Sequence, residues 1–164
     1  MLSVQQKRVT LKAGLIGVIS DTHGLLRPEA LDALKGSELI IHAGDIGKPE
    51  VLTSLTSLAP VLAIRGNNDR ESWAKKIPDI LHLRANGACL FIIHNVNDLE
   101  VDPGAEGFHA VISGHSHKPS LTNSEGVIFL NPGSVGPRRF KLPVALARLR
   151  IQGGKVNAKI VELV

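Results

Sequence analysis

The sequence predicts an α/β domain in which two mixed β-sheets pack against each other and helices lie on the outer faces. In the first half, apolar runs alternate with predicted helices that each begin at a proline. In the second half, the apolar runs are separated by short turns. The 164 residues are enough for one domain that buries roughly two-thirds of its unfolded surface. We assign residues 1–13 to an N-terminal extension and residues 14–164 to a single domain.

The first half of the chain alternates between strand and helix. Residues 1–12 are polar and aperiodic, so we expect a loosely held extension without chemistry, with a short strand at Arg8–Leu11. Pro28 and Pro49 occupy first-turn positions of helices that end near Lys35 and Leu58. The alternation is typical of βαβ units in a largely parallel sheet. Its strands are predicted at Leu15–Ile19, Leu39–Ile41 and Val61–Ile64.

The second half is predicted to be mostly antiparallel β-structure. A short helix is expected at Glu71–Lys76, and Asn86-Gly87 is a strong hairpin signal between two apolar runs. Two further hairpins are expected around residues 123–126 and 153–154. The predicted strands are Ile80–Arg84, Cys89–Ile93, Val111–Ser113, Ser120–Thr122, Val127–Leu130, Val144–Ile151 and Val156–Val161.

Composition restricts the possible functions. Aromatic residues make up 3% of the chain, which argues against a nucleic-acid surface built on stacked rings. The net charge of +4 suits an anionic substrate, although Lys and Arg are spread along the chain. A single cysteine, Cys89, and the lack of a signal-peptide or membrane-spanning apolar run favour the cytoplasm. We expect a small phosphate-ester substrate as partner, no membrane and no nucleic acid, and leave a homo-oligomer open.

The groups that could bind a metal follow directly after apolar runs. Because ligands gather outside the carboxyl ends of strands in open α/β sheets, these side chains are expected to form one cluster. They are too many for one catalytic ion, but a two-metal site with a bridging carboxylate uses about this number, with Asp45 as the bridge. The predicted ligands are Asp21, His23, Asp45, Asn67, His94, His115 and His117.

The ligand types also indicate the metal. Imidazole, carboxylate and amide oxygen without thiolate favour transition ions, with manganese first and nickel, zinc, iron or cobalt as alternatives, over magnesium. Two such ions can share a hydroxide and clamp the oxygens of an in-line phosphoryl displacement. Hydrolysis of a phosphate ester is therefore the expected reaction.

Five motifs resemble those of the calcineurin-like metallophosphoesterases, most closely their small bacterial and archaeal phosphodiesterase branch. They occur in the family's order between Leu15 and Arg138. The motifs are GVISDTHG at 17–24, HAGD at 42–45, RGNND at 65–69, SGHSH at 113–117 and NPGSV at 131–135.

The resemblance implies a four-layer αββα sandwich that holds two metal ions. It assigns Asp45 to both ions. Asp21, His23 and His117 would be the other ligands of one ion, and Asn67, His94 and His115 the other ligands of the second ion.

Asn68 and Asp69 are the predicted catalytic positions beyond the ligands. Many family members have, at the position of Asn68, a His thought to protonate the leaving group, whereas an amide can only donate a hydrogen bond. Asp69 either orients a ligand or caps a helix that begins near Arg70. The expected function is thus a phosphodiesterase that works by attack of a metal-bridged hydroxide. The rival is an interaction scaffold, since a retromer subunit of similar fold is thought to serve mainly as a platform.

Overall fold

A computed structural model describes residues 1–163. Most elements occupy the predicted segments, and the short helix expected at Glu71–Lys76 is a single 3-10 turn at Ser72–Ala74. The two α-helices are α1 (Pro28–Leu34) and α2 (Pro49–Thr56). The strands are β1 (Val4–Val9), β2 (Leu15–Ile19), β3 (Leu39–His42), β4 (Val61–Ala63), β5 (Ile80–Ala85), β6 (Ala88–Ile93), β7 (Ala110–Ile112), β8 (Ser120–Ser124), β9 (Val127–Asn131), β10 (Ala145–Gln152) and β11 (Lys155–Glu162).

The strands form two mixed sheets, which confirms the predicted fold class. One sheet has the order β1-β5-β6-β7-β9-β8 and the other the order β11-β10-β2-β3-β4. In the five-stranded sheet, β2, β3 and β4 are parallel, as the βαβ pattern predicts, and β10 runs antiparallel to β2. The carboxyl ends of β2, β3 and β4 therefore lie along one edge of this sheet.

An aliphatic core joins the two sheets. Alternate residues of the strands face inward, among them Val18 and Ile41 from one sheet and Leu90 and Ile112 from the other, and all four are buried. This packing holds the carboxyl ends of β6 and β7 beside those of the five-stranded sheet. Residues of both sheets can therefore meet in one site.

The outer faces of the two sheets are covered differently. Both α-helices pack on the five-stranded sheet, where Leu34 and Leu55 are fully buried against Ile40. On the six-stranded sheet, the segment between β6 and β7 supplies Leu99 and Phe108 as cover over Phe91, and its regular structure is a 3-10 turn at Val96–Asp98.

One local prediction was wrong. The N-terminal strand is not at Arg8–Leu11 but at Val4–Val9, and it is not loosely held, because it pairs with β5 in parallel over six residues. The second half is mainly antiparallel, as predicted, through the hairpins β5-β6, β8-β9 and β10-β11. Within it, β7 is an exception that pairs in parallel with both β6 and β9. No helix within residues 1–163 is long and apolar enough to cross a membrane.

Candidate metal centre

All seven predicted ligands follow the carboxyl ends of strands, but the structure does not place them equally. Five side chains converge on one point, in two overlapping groups that share Asp21. One group is Asp21, His23 and His117, and the other is Asp21, Asp45 and His94; within each group the candidate ligand atoms lie within 4.8 Å of one another. The centre therefore draws on β2 and β3 of one sheet and on β6 and β7 of the other.

Asp21 has one oxygen held by the protein and one directed into the cluster. Its Oδ2 accepts hydrogen bonds from the Ser20 hydroxyl at 2.7 Å and the His115 amide at 3.0 Å. Its buried Oδ1 has no hydrogen-bond partner among the described residues and lies 3.4 Å from His117 Nε2 and 3.7 Å from His23 Nε2. Burial raises the pKa of Asp21, but the two imidazoles and Ser20 lower it by more, so the net pKa lies well below its usual range.

Asp45 lies between the two halves of the cluster. Its Oδ1 accepts a hydrogen bond from the Asn68 amide at 2.9 Å, and its Oδ2 lies 3.3 Å from His94 Nε2 and 3.8 Å from His23 Nε2. Its Oδ2 therefore faces one histidine from each group, as a bridging carboxylate would. Asp21 Oδ1 does the same, since it lies 3.4 Å from His117 Nε2 and 3.9 Å from His94 Nε2, and Asp21 belongs to both groups. The assignment of Asp45 as the bridge remains a prediction.

The histidine rings present their Nε2 atoms to the carboxylates. His94 Nδ1 lies 2.7 Å from the Ala43 carbonyl oxygen, so Nδ1 carries the proton and Nε2 is left to accept. Metal-binding histidines are commonly fixed in this tautomer by a backbone carbonyl. The Nε2 atoms of His23 and His117 face each other at 3.2 Å.

These contacts fit a metal better than they fit a network of hydrogen bonds. Two nitrogens about 2.0–2.1 Å from one tetrahedral ion are expected about 3.4 Å apart, close to the separation of His23 and His117. Buried polar atoms normally have a partner, yet Asp21 Oδ1 and His94 Nε2 have none among residues 1–163. A divalent cation would satisfy both atoms.

His115 and Asn67 lie at the exposed rim of the cluster. The His115 ring makes an edge contact with His94 at a centroid distance of 5.3 Å, and Asn67 lines the same cleft as both rings. Neither the His115 ring nor the Asn67 amide belongs to the group of five convergent side chains. Their assignment to a second ion remains a prediction.

Backbone strain is concentrated at the cluster. Five of the seven predicted ligands have positive φ angles, from 46° at His23 to 72° at His115. Such conformations are uncommon for residues with side chains, and they persist where the surrounding structure requires them, often at functional sites. The strained residues are Asp21, His23, Asp45, His115 and His117.

Two glycines allow the loops to approach the carboxylates. A Cβ atom at Gly66 would lie 2.1 Å from Asp45 Oδ1, and one at Gly114 would lie 2.0 Å from Ser20 Oγ and 2.6 Å from Asp21 Oδ2. Neither position tolerates a side chain without movement of a ligand.

Asn68 and Asp69, predicted as catalytic positions, both contact the loop that carries Asp45. The Asn68 side-chain amide donates to Asp45 Oδ2 at 3.2 Å, in addition to the backbone contact. Asp69 is buried and accepts from the amides of Ile46, Gly47 and Gly66. Of the two alternatives for Asp69, these contacts favour orientation of a ligand loop, because the 3-10 turn that follows begins after Glu71 without a side-chain cap.

A buried histidine that is not a predicted ligand braces the same loop. His42 Nδ1 accepts from the Gly44 amide at 3.1 Å, and its Nε2 lies 3.0 Å from Thr22 Oγ1. The Thr22 hydroxyl donates to the Ile46 carbonyl at 2.7 Å, so it accepts from His42 Nε2–H. Burial lowers the pKa of His42 to about 4, which keeps the ring neutral near pH 7.

The segment after β9 supports the other ligand loops. Asn131 Nδ2 donates to the Gly114 carbonyl at 2.9 Å, and Ser134 Oγ donates to the Asp21 carbonyl at 2.9 Å. Sequence reasoning identified the motif but not these contacts, nor those of Ser20 and Thr22. The only sequence signal for the latter two is that they flank Asp21 in the first motif.

Comparison with known proteins agrees with the motifs. The profile of the calcineurin-like phosphoesterase superfamily domain matches residues 15–154. The chain belongs to this superfamily. A protein of Methanothermobacter thermautotrophicus, named a probable metallophosphoesterase, is 38% identical over 168 residues that cover 90% of this chain and 92% of its own.

Solved structures of this superfamily's fold are also similar. A structure described as a novel archaeal phosphodiesterase has 25% identity and a TM-score of 0.74, covering 90% of this chain and 99% of its own. Vps29 of Entamoeba histolytica, in a structure with zinc, has 19% identity and a TM-score of 0.72, covering 92% and 99%. The second likeness is one of fold alone.

Two clefts open beside the cluster of this phosphoesterase. One, of about 220 Å³, is lined by His23, His117, Pro137, Arg138 and Arg139. The other, of about 170 Å³, lies on the side of His94, His115 and Asn67. A substrate bound at the cluster would therefore have room on both sides.

Proposed function

We propose that this phosphoesterase is a dinuclear metal-dependent phosphodiesterase. The observation that carries the proposal is the convergence of two carboxylates and three imidazole Nε2 atoms, with Asp45 Oδ2 between His23 and His94. Clefts on both sides of the cluster suit a phosphate that carries two ester groups.

The ions would be held by the predicted ligands. Asp21, His23 and His117 would bind one ion and His94, with Asn67 and His115 from the rim, the other, while Asp45 would bind both. When bound, the pair supplies a nucleophile at neutral pH and neutralises charge on the phosphate oxygens.

The chain's own residues would place the substrate and hold the ligands. Asn68 and Asp69 fix the Asp45 loop, and the Ala43 carbonyl fixes the tautomer of His94. Arg138 and Arg139 line the cleft beside His23 and would stabilise negative charge there.

The three convergent imidazoles favour a borderline transition ion, with manganese proposed first and nickel, zinc, iron or cobalt as alternatives. Magnesium prefers oxygen ligands and retains its waters, so it is expected to support little activity.

The first test is an activity panel. Protein stripped with chelator would be assayed on phosphomonoesters, phosphodiesters and cyclic nucleotides with manganese, nickel, zinc or magnesium. We expect turnover of diesters that manganese or nickel restores better than magnesium. Asp32→Asn, a change at an exposed carboxylate, is the matched control for Asp21→Asn, which should be inactive.

Two outcomes would contradict the proposal. Undiminished turnover after chelation would exclude metal dependence. No turnover with any of the metals and substrates would favour the rival interpretation, an interaction scaffold, which the fold likeness to Vps29 also allows.

A further inference from the structure

The 170 Å³ cleft has a wall that comes from outside the family-matched region. It is lined by Leu2 together with Ile93, Asn95 and Asp98, next to His94 and His115. The superfamily profile begins at residue 15, so Leu2 belongs to the segment that the sequence assigned to an extension without chemistry.

The start of the N-terminal strand is fixed firmly beside the cluster. Asp79 Oδ2 accepts hydrogen bonds from the Ser3 amide at 2.8 Å and the Ser3 hydroxyl at 3.1 Å, and the Asp79 amide donates to the Ser3 carbonyl at 3.0 Å. The same carboxylate oxygen accepts from Arg65 Nη2 at 3.0 Å. Because Arg65 precedes Gly66 and Asn67, one carboxylate ties the N-terminal strand to a loop of the candidate metal centre.

The charges of the two clefts differ. The cleft beside His23 carries Arg138 and Arg139, whereas the cleft beside His94 carries Asp98 and an Arg65–Asp79 ion pair. A leaving group gains negative charge as its bond to phosphorus breaks, so it is stabilised on the arginine side. The ester group that stays on phosphorus then lies on the side of Leu2.

The size of the cleft limits that group. A cavity of about 150 Å³ lined by apolar side chains accommodates benzene, and this cleft measures about 170 Å³. Leu2, which is 48% exposed, supplies apolar surface for one ring, whereas Ile93 lies almost fully buried behind it.

We propose that Leu2, held by the Ser3–Asp79 contacts, forms a subsite for the retained ester group of a phosphodiester. The subsite takes a single ring, so the substrate class is small diesters whose retained group is one aryl or sugar ring. This inference rests on the proposed phosphodiesterase function.

The test compares two diesters with the same leaving group. Bis(p-nitrophenyl) phosphate retains an aryl ring, and methyl p-nitrophenyl phosphate retains a methyl group. Leu2→Trp should raise KM for the first by roughly 10-fold, as expected when a pocket loses its fit, with kcat unchanged and with little effect on the second. Leu2→Gly should also raise KM for the first alone, because it removes the apolar contact.

Val4→Trp is the matched control, since Val4 lies two residues further along the chain at the start of β1, is exposed to a similar degree and does not line the cleft. Elemental analysis should give the same metal content for all variants. A binding experiment gives a second readout: phenylphosphonate should bind more weakly to Leu2→Trp than to the unmodified protein, whereas inorganic phosphate should bind both equally.

Equal effects of Leu2→Trp on both diesters, or effects no larger than those of Val4→Trp, would overturn the subsite. If the unmodified protein hydrolysed neither diester with any metal, the proposed function would fail, and phenylphosphonate binding would still decide whether Leu2 contacts the ring.

Discussion

At the scale of single residues, the centre depends on side chains that hold the ligands as much as on the ligands themselves. Each carboxylate has one oxygen held by a hydrogen bond while the other faces the cluster: the Ser20 hydroxyl donates to Asp21 Oδ2, and the Asn68 backbone amide donates to Asp45 Oδ1. The resemblance to the superfamily suggested Asn68 as a donor to the leaving group. The structure gives its amide a different contact, Asp45 Oδ2.

The two roles of Asn68 make different predictions. If the amide orients Asp45, Asn68→Ala should weaken metal binding by roughly 10- to 100-fold, the usual cost of losing such a partner, and saturating metal should restore most of kcat. Metal titrations and kinetics at saturating metal would measure both effects. Asn157→Ala, at an exposed asparagine of β11 that lines neither cleft, is the control.

A loss of kcat in Asn68→Ala at saturating metal, with metal affinity unchanged, would instead assign Asn68 to the leaving group.

His42 predicts a pH dependence of stability. Its pKa is about 4 in the folded protein against 6.5 for an unperturbed histidine, so the unfolded chain binds more protons between these values. The free energy of unfolding should therefore fall by about 3 kcal/mol as pH decreases from 6.5 to 4 because of this residue alone. His42→Gln should remove that component.

The contribution of His42 can be measured by urea unfolding of metal-free protein at several pH values. It is the difference in the free energy of unfolding between the unmodified protein and His42→Gln, with His109→Gln as a control for the loss of a histidine. Parallel curves for the unmodified protein and His42→Gln would show that His42 does not stay neutral in the fold.

At the scale of elements, the ends of strands carry the site and the loops after them have little freedom. The loop after β7 passes so close to β2 that Gly114 lies against Ser20 and Asp21. The loop after β4 approaches Asp45 in the same way through Gly66.

Gly114→Ala should therefore damage the centre without a change in any ligand. The added Cβ would displace Ser20 or Asp21, at a cost of roughly 1–3 kcal/mol in the free energy of unfolding, as is usual for overpacking, and with weaker metal binding. Gly104→Ala adds a Cβ with ordinary contacts of 3.4 Å and is the matched control. Wild-type metal affinity in Gly114→Ala would mean that the loop can move away freely.

The sequence predicted the strand ends well because each follows an apolar run with polar residues directly after it. Pairing was harder to predict. Parallel crossovers are usually recognised from a helical pattern, but residues 94–109 between β6 and β7 contain only a 3-10 turn as regular structure, so nothing local indicated that these strands are parallel. The N-terminal strand was misplaced because its outer positions are polar, as at Gln6 and Arg8, and its partner β5 lies about 75 residues further along the chain.

The convergence of the ligands was predictable in outline and the orientation of each was not. Asp21 and His117 lie almost 100 residues apart, yet their contact follows from the two sheets packing together. The positive φ angles at five ligands have no local sequence signal, because tertiary contacts impose them. The separation of His115 and Asn67 from the convergent five likewise depends on loop shape.

At the scale of the whole molecule, the centre connects the two sheets. Asp21 and Asp45 follow strands of the five-stranded sheet, and His94 and His117 follow strands of the six-stranded sheet. An ion bound to both sets would therefore resist their separation. The unfolded chain has no such arrangement, so metal should bind the folded state almost exclusively.

Manganese should accordingly raise the thermal stability of the stripped protein. At a free concentration of 100 times Kd, the expected stabilisation is about 2.7 kcal/mol. For a chain of this size, 1 kcal/mol corresponds to roughly 2–4 °C, so the melting temperature should rise by about 5–10 °C. Asp45→Asn, which is nearly isosteric but lacks the charge between the two halves, should show little of this shift at the same manganese concentration. Magnesium should raise the melting temperature of the unmodified protein less than manganese does, because three imidazole ligands suit magnesium poorly. Calorimetry of both proteins with each metal would measure the shifts, and an equal rise in Asp45→Asn would place the stabilising manganese outside this centre.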